Sequence, residues 1–158
     1  MDPLEERVIA DAVATIGVRE IGFTNTGPEV NQYLQFVGLA PGDPWCAAYV
    51  CFRIYKAAHE VGVDITKWIK SGSAEALYLN AKQKGLLIDT PQPGCVFFEY
   101  FPAMNRYAHT GFVRSVSAGN TFSTVEGNSN TDGAREGYEV CSNARIVMAG
   151  KYAFARIE

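Results

Sequence analysis

The hydrophobic pattern changes its period once along the 158-residue chain, and no other feature limits the fold as much. Up to about Gly85 the apolar residues recur at helical spacing. Leu4, Val8, Ile9, Ala12, Val13 and Ile16 form one such face and stop at Gly17. Val30, Tyr33, Leu34 and Val37 form a second in "GPEVNQYLQFVG". A third helix is expected through "WCAAYVCFRIYKAAHEVG", ending at Gly62, with Asp43 suited to the N-cap and Pro44 to the first helical position. A fourth, "SAEALYLNAKQKG", begins near Ser73 and ends at Gly85. Beyond that point "GCVFFEYF", "HTGFVRSV", "TFSTVEG" and "YAFARI" are β-branched and aromatic, and turn residues separate them. Helices first and strands after predict an α+β fold, with a helical layer on an antiparallel sheet. The length suits one compact domain spanning residues 1–158.

Composition excludes several partners. The formal net charge is −3 and no run of one sign is long, which argues against nucleic acid and against an anionic membrane surface. The apolar runs are too short to span a bilayer, so no membrane insertion is expected. The start, "MDPLEERVIADAVATIG", is acidic and amphipathic rather than basic and continuously apolar, so no standard export signal is expected.

Chemistry narrows to a few side chains. The four cysteines are Cys46, Cys51, Cys95 and Cys141. Cys46 and Cys51 sit five apart on one helix, too distant to bridge. Cys95 and Cys141 fall in expected strands, where pairing stays open, although nothing signals an oxidising compartment. There is no CxxC and no Cys/His spacing suited to a metal. Only two histidines are present. His59 lies on the Cys46 helix roughly 20 Å further along, out of hydrogen-bonding reach, and reads as a solvated helix-end residue. His109 is expected to open the strand "HTGFVRSV" after the loop "PAMNRYA", a place that faces clefts.

The hairpin at "SVSAGNTF" tests whether His109 has a partner. With a two- or four-residue loop, His109 shares a sheet face with Glu126 and Asn128; a three-residue loop puts Glu126 on the other face. Gly119 and Asn120 suit a two-residue turn. At a helix start the unpaired N–H groups and the dipole favour a Cys46 thiolate, and a nearby imidazolium favours it further. Glu126 can then hold the imidazole, and the Cys46 N–H can donate to an oxyanion. Placement alone leaves Cys46 open between nucleophile and small buried hydrophobe. Cys51 and Cys95 read as packing residues.

The ordered set "PWCAAYV", "PGCVFFEY", "HTGFV" and "VEGNSN" resembles the CHAP family of cysteine, histidine-dependent amidohydrolases and peptidases, from about Glu20 to the C-terminus. The resemblance implies a papain-like fold and a single catalytic domain without cofactor. It implies hydrolysis of peptidoglycan amide bonds, by amidase or endopeptidase action. Cys46 matches the nucleophile, His109 the base, Glu126 the acidic orienter and Asn128 a polar residue beside it. Trp45 and Tyr107 are expected to flank the cleft as substrate-binding residues. The expected partner is peptidoglycan, and the chain is expected to act as a monomer. No separate wall-binding domain is expected, and with no export signal the chain would be expected to reach the wall by lysis, a phage particle or a secretion system. Two alternatives of the same fold are an amidase of small-molecule amides and a module that holds wall fragments without cutting.

Two stretches bear on calcium. "VGLAPGDP", where some relatives carry an acidic calcium loop, has one acidic residue. "NSNTDGAREGYE", Asn128 to Glu139, fits an EF-hand template except at its first position, but with few carboxylates and strand-like flanks. No metal is expected. Cys95 stands where related strands commonly carry Asp, and reads as structural.

Overall fold

Four helices precede a seven-stranded antiparallel sheet in the computed structural model, which describes residues 1–158. The helices are α1 (Pro3–Ala14), α2 (Pro28–Phe36), α3 (Cys46–Val61) and α4 (Ala74–Gln83). The strands are β1 (Leu87–Ile88), β2 (Val96–Phe101), β3 (Arg106–Ser117), β4 (Thr121–Ser129), β5 (Glu139–Cys141), β6 (Ala144–Ile146) and β7 (Tyr152–Ala155). Their spatial order is β1-β7-β2-β3-β4-β5, with β6 also paired to β4. The α+β expectation holds. The strand expected at Cys141 is β5, whereas the short strands β1 and β6 were not expected, since two or three residues carry no readable period.

The strands' alternation divides the core in two. Val96, Phe98, Phe112 and Val125 pack with buried residues of the helices, among them Val50, Ile54 and Leu77. Cys95, Phe97, Val113, Phe122 and Phe154 form a separate apolar cluster with the opposite alternation. All four cysteines are buried and free, so Cys95 and Cys141 do not pair.

Three local expectations need correction. The first concerns the start of α3. Its N-cap is Trp45 at φ −125°, with no side-chain cap bond, and Asp43 lies in the preceding turn. The Trp45 indole donates to Glu20 Oε1 at 2.8 Å, which holds this residue outside the helix. Cys46 is therefore the first helical residue, and no side chain caps the N–H groups of that turn.

The second concerns His109. It does not open its strand: β2–β3 pairing already begins at Phe101↔Arg106, after a 3₁₀ turn over Pro102–Met104. The Tyr100 hydroxyl donates to Asn105 Oδ1 at 2.6 Å and tightens that loop. Ala108 is left over as a bulge between the pairs Tyr100↔Tyr107 and Glu99↔His109, directly before the histidine. Bulges of this kind re-aim a neighbouring side chain.

The third concerns the β3–β4 hairpin. Ser117 pairs with Thr121, so the loop has three residues and not two, with Gly119 at φ 76° and Asn120 at φ 58°. On its own that loop would send Glu126 to the wrong face. The register then slips by one at Arg114, between the pairs Ser115↔Ser123 and Val113↔Thr124. The bulge cancels the loop's extra residue. Beyond it Phe112 pairs with Val125, a register that puts His109 on the face of Glu126, where the two side chains meet.

Candidate active site

The Cys46 thiol lies at the start of α3 and lines a cavity of about 260 Å³ together with Pro44, Ser73, Tyr107, Ala108 and Arg135. The residue is 7% exposed. His109 is wholly buried beside it. The imidazole Nε2 meets Glu126 Oε1 at 2.8 Å. The other ring nitrogen, Nδ1, has no hydrogen-bond partner. Burial by itself would lower the His109 pKa, but the neighbouring Cys46 and Glu126 outweigh it and raise the pKa to about 9. Because Nδ1 makes no bond of good geometry, Cys46 acts on the ring as a close neighbour rather than through a formed hydrogen bond. Such contacts commonly tighten only with substrate in place.

Glu126 is wholly buried and fully engaged. Oε1 also accepts from Arg145 Nη2 at 2.7 Å, and Oε2 accepts from Arg145 Nε at 2.7 Å. The Thr124 hydroxyl donates to Oε2 at 2.5 Å. Burial would raise the carboxyl pKa, but His109 and Arg145 hold it well below the usual carboxylate range. The guanidinium continues to Glu99, with Nη1 at 3.1 Å from Oε1. Arg145 and Glu99 escaped the sequence reading. Arg145 sits in a three-residue strand, in "NARIV", and only its position opposite Phe122 in the sheet relates it to Glu126. A lone arginine among apolar strand residues was the available signal.

The remaining expected site residues fall in different places. Asn128 is wholly buried, at φ 53°, and neither polar atom of its side chain has a partner. An amide in that state is free to bond water or a ligand. Tyr107 is half-buried in the cavity wall, and its backbone N–H donates to Glu75 Oε2 at 2.7 Å. Trp45 is wholly buried and does not line the cavity; it packs behind the site against Tyr33, Tyr49 and Gly127. A Cβ on Gly127 would stand 2.8 Å from Trp45 and 2.9 Å from Tyr49, so only glycine admits this approach of β4 to α3.

The Asn128–Glu139 segment is a loop between β4 and β5, closed by Gly137 N–H to Asn128 O and Tyr138 N–H to Ser129 O, both 2.9 Å. Nowhere do three His, Cys, Asp or Glu side chains gather into a metal-binding group. No helix is long and apolar enough to cross a membrane.

Taken as chemistry, the site offers a thiol at an uncapped helix start, an imidazole with one free nitrogen beside it, and a carboxylate fixing the other nitrogen. That set suits attack on a carbonyl followed by protonation of a leaving group.

No curated protein matches the sequence. A solved structure described as "The crystal structure of Ly7917" matches with a TM-score of 0.55 at 15% identity, over 97% of this chain and 62% of that one. The likeness shows the fold, and this chain spans less than two thirds of that protein's length. The family model for the CHAP domain matches residues 39–128, a segment that contains Cys46, His109, Glu126 and, at its last position, Asn128. CHAP domains are generally amidase- or peptidase-type hydrolases, commonly acting on peptidoglycan. The match covers more than half of the sequence, and the chain belongs to the CHAP family.

Proposed function

We propose that this protein is a cysteine hydrolase that cleaves amide bonds in bacterial peptidoglycan, as an amidase or endopeptidase, with residues 1–158 acting as one catalytic domain. The observation that carries the proposal is the buried His109–Glu126 pair set against a thiol that opens into a cavity. The Cys46 thiolate attacks the amide carbonyl carbon, forming a tetrahedral intermediate. The Cys46 backbone N–H, free at the first position of α3, donates to its oxyanion. His109 gives its Nδ1 proton to the leaving amine, and the thioester forms as the C–N bond breaks. His109 then takes a proton from water, hydroxide adds to the thioester, and the Cys46 thiolate leaves.

Glu126 accepts from Nε2 throughout and keeps Nδ1 turned toward the thiol. Asn128 supplies an unpartnered buried amide. Tyr107 borders the substrate, whereas Trp45 serves by holding the start of α3 through Glu20. No step calls for a cofactor.

Digestion of purified peptidoglycan, followed by mass spectrometry of the released fragments, tests the proposal and identifies the bond. Wild type should release new amino termini and Cys46→Ala none, with an unchanged circular dichroism spectrum. Equal release by the two proteins would sink it.

A further inference from the structure

Glu126 does not serve His109 alone. Its Oε1 is shared between His109 Nε2 at 2.8 Å and Arg145 Nη2 at 2.7 Å, and Arg145 Nε takes the other oxygen at 2.7 Å. Arg145 is itself divided, with Nη1 on Glu99 Oε1 at 3.1 Å. Glu99 in turn lies directly opposite His109 in the β2–β3 register. The four groups thus form a closed, nearly solvent-free set with alternating sign: Glu99, Arg145, Glu126, His109.

We infer that Arg145 and Glu99 are positioning residues that set how firmly Glu126 holds a charged His109. Charge balance carries this. Two carboxylates and one guanidinium leave the buried set one positive charge short of neutral, and a protonated imidazole completes it. Arg145 draws on the same carboxylate that holds the imidazole, so it loosens that hold. Glu99 draws Arg145 back, so it strengthens it.

Apart from Lys151, which is partly exposed and screened by solvent, the neighbours add no charge to this set. Around Arg145 the other polar groups are the Tyr152 hydroxyl at 3.4 Å and the Gly133 carbonyl at 3.4 Å, both uncharged. Lys151 lies 3.9 Å from Glu99 and is partly exposed, and Cys141 pairs with Glu126 across β4–β5 as a neutral thiol, its pKa pushed up to about 11 by burial. On the α3 side His109 meets Cys46. Phe97 lies beneath the set, its ring edge-to-face with the imidazole at 6.0 Å and 5.2 Å from the guanidinium.

The inference rests on the His109–Glu126 pair proposed above, but it can be tested without turnover. The chain has only two histidines, and His59 is exposed at the far end of α3. Histidine NMR signals therefore report the His109 titration directly, with His59 as an internal reference. The midpoint of the His109 signal is compared among proteins.

Glu99→Gln keeps an acceptor for Arg145 and removes one negative charge. It should lower the His109 midpoint by about half a pH unit or more, about threefold in proton affinity. Arg145→Met removes the competitor and should raise the midpoint by a similar amount. His59 should not move in either. A merely structural role predicts lost stability with no opposed shifts. Midpoints that stay in place, or that move in the same direction, overturn the inference. If Arg145→Met does not fold, the direction found for Glu99→Gln decides alone. Opposed shifts in a protein that digests no peptidoglycan would sink the proposed function and leave this inference standing.

Discussion

Cys46 and Cys51 lie on one helix, five residues apart, in opposite chemical settings. Cys46 begins α3, has no cap beside it, and borders a cavity and His109. Cys51 is 1% exposed in mid-helix, and its thiol faces the carbonyls of Ile69 at 3.6 Å and Ser71 at 3.4 Å. Burial pushes its pKa up to about 11. The helix's two imidazole neighbours differ as well: His109, from the sheet, is buried against Glu126, whereas His59, on the helix itself, is exposed. Residue type and helix membership therefore decide little. A helix end that meets a sheet of buried charge makes one thiol a candidate nucleophile, and a helix middle that meets carbonyls makes the other a packing group.

The largest effect should come from exchanging the two cysteines' fates. Cys46→Ala should lower kcat/KM on peptidoglycan by about 10⁴-fold or more, because the proposed nucleophile is gone. Cys51→Ala should stay within about threefold of wild type while losing about 1–3 kcal/mol of stability in denaturant. The reverse pattern breaks the comparison. Iodoacetamide sharpens it: Cys46 should be carboxamidomethylated first. Cys51, Cys95 and Cys141, with pKa values raised to about 11, 12 and 11, should react only on unfolding.

Next in size is the loss of the buried carboxylate. Glu126→Ala leaves Arg145 and His109 facing each other without their shared anion, which should cost about 3–5 kcal/mol in chemical denaturation. Glu126→Gln should fold better and still lose activity, by about 10²-fold or more, because an amide cannot balance the imidazolium. A Glu126→Gln protein with full activity would detach the sheet's charges from the Cys46 end of α3.

The pH dependence follows from the same groups. The folded pKa of His109 is raised, so its contribution to stability is complete below its unfolded value and is lost as pH rises through about 9. Glu126 is depressed, so its contribution is complete above the ordinary carboxylate range and is lost as pH falls below it. Thermal unfolding should show a plateau from about pH 5 to 6.5 with decline on both sides. Activity should fall on the alkaline side through about 9 as the imidazolium loses its proton. Cys46→Ala removes one of the two groups that raise His109, so its alkaline decline in stability should begin at lower pH. The Cys51→Ala profile should follow wild type.

What could be read from sequence divides along a physical line. The helices and the main strands were legible because period is a local property, whereas the set Cys46, His109, Glu126 and Asn128 came from the ordered motifs' resemblance to the CHAP family. The α3 start was misplaced by the Asp-Pro pair, since the bond from Trp45 to Glu20 is long-range. The facing of His109 and Glu126 was reached for the wrong reason. The loop has three residues, and a bulge at Arg114 restores the parity, a cancellation that no local signal announces. Arg145 was invisible because only tertiary pairing of β6 with β4 brings it to Glu126.

Trp45→Phe probes what holds the Cys46 end in place. It keeps most of the ring but removes the indole N–H, leaving Glu20 Oε1 without that donor while Oε2 still accepts from Asn25 N–H at 3.0 Å. Stability should drop by about 1–3 kcal/mol, and kcat should fall more than KM rises, since the displaced group is the helix start.

The smallest effect should belong to His59→Gln. His59 lies in the last turn of α3, exposed and without a hydrogen bond or ion pair, and its charge can help the helix end by at most a few tenths of a kcal/mol at the surface. Glutamine is as good a helix former, so stability should remain within about 0.5 kcal/mol of wild type. The activity profile against pH should overlay that of wild type, because the imidazole that matters is the one on β3. The substitution is therefore the control that carries the most weight for the assignment of a titrating histidine. With only two in the chain, an alkaline limb that persists in His59→Gln belongs to His109, and one that vanishes would move the chemistry to the other end of the helix.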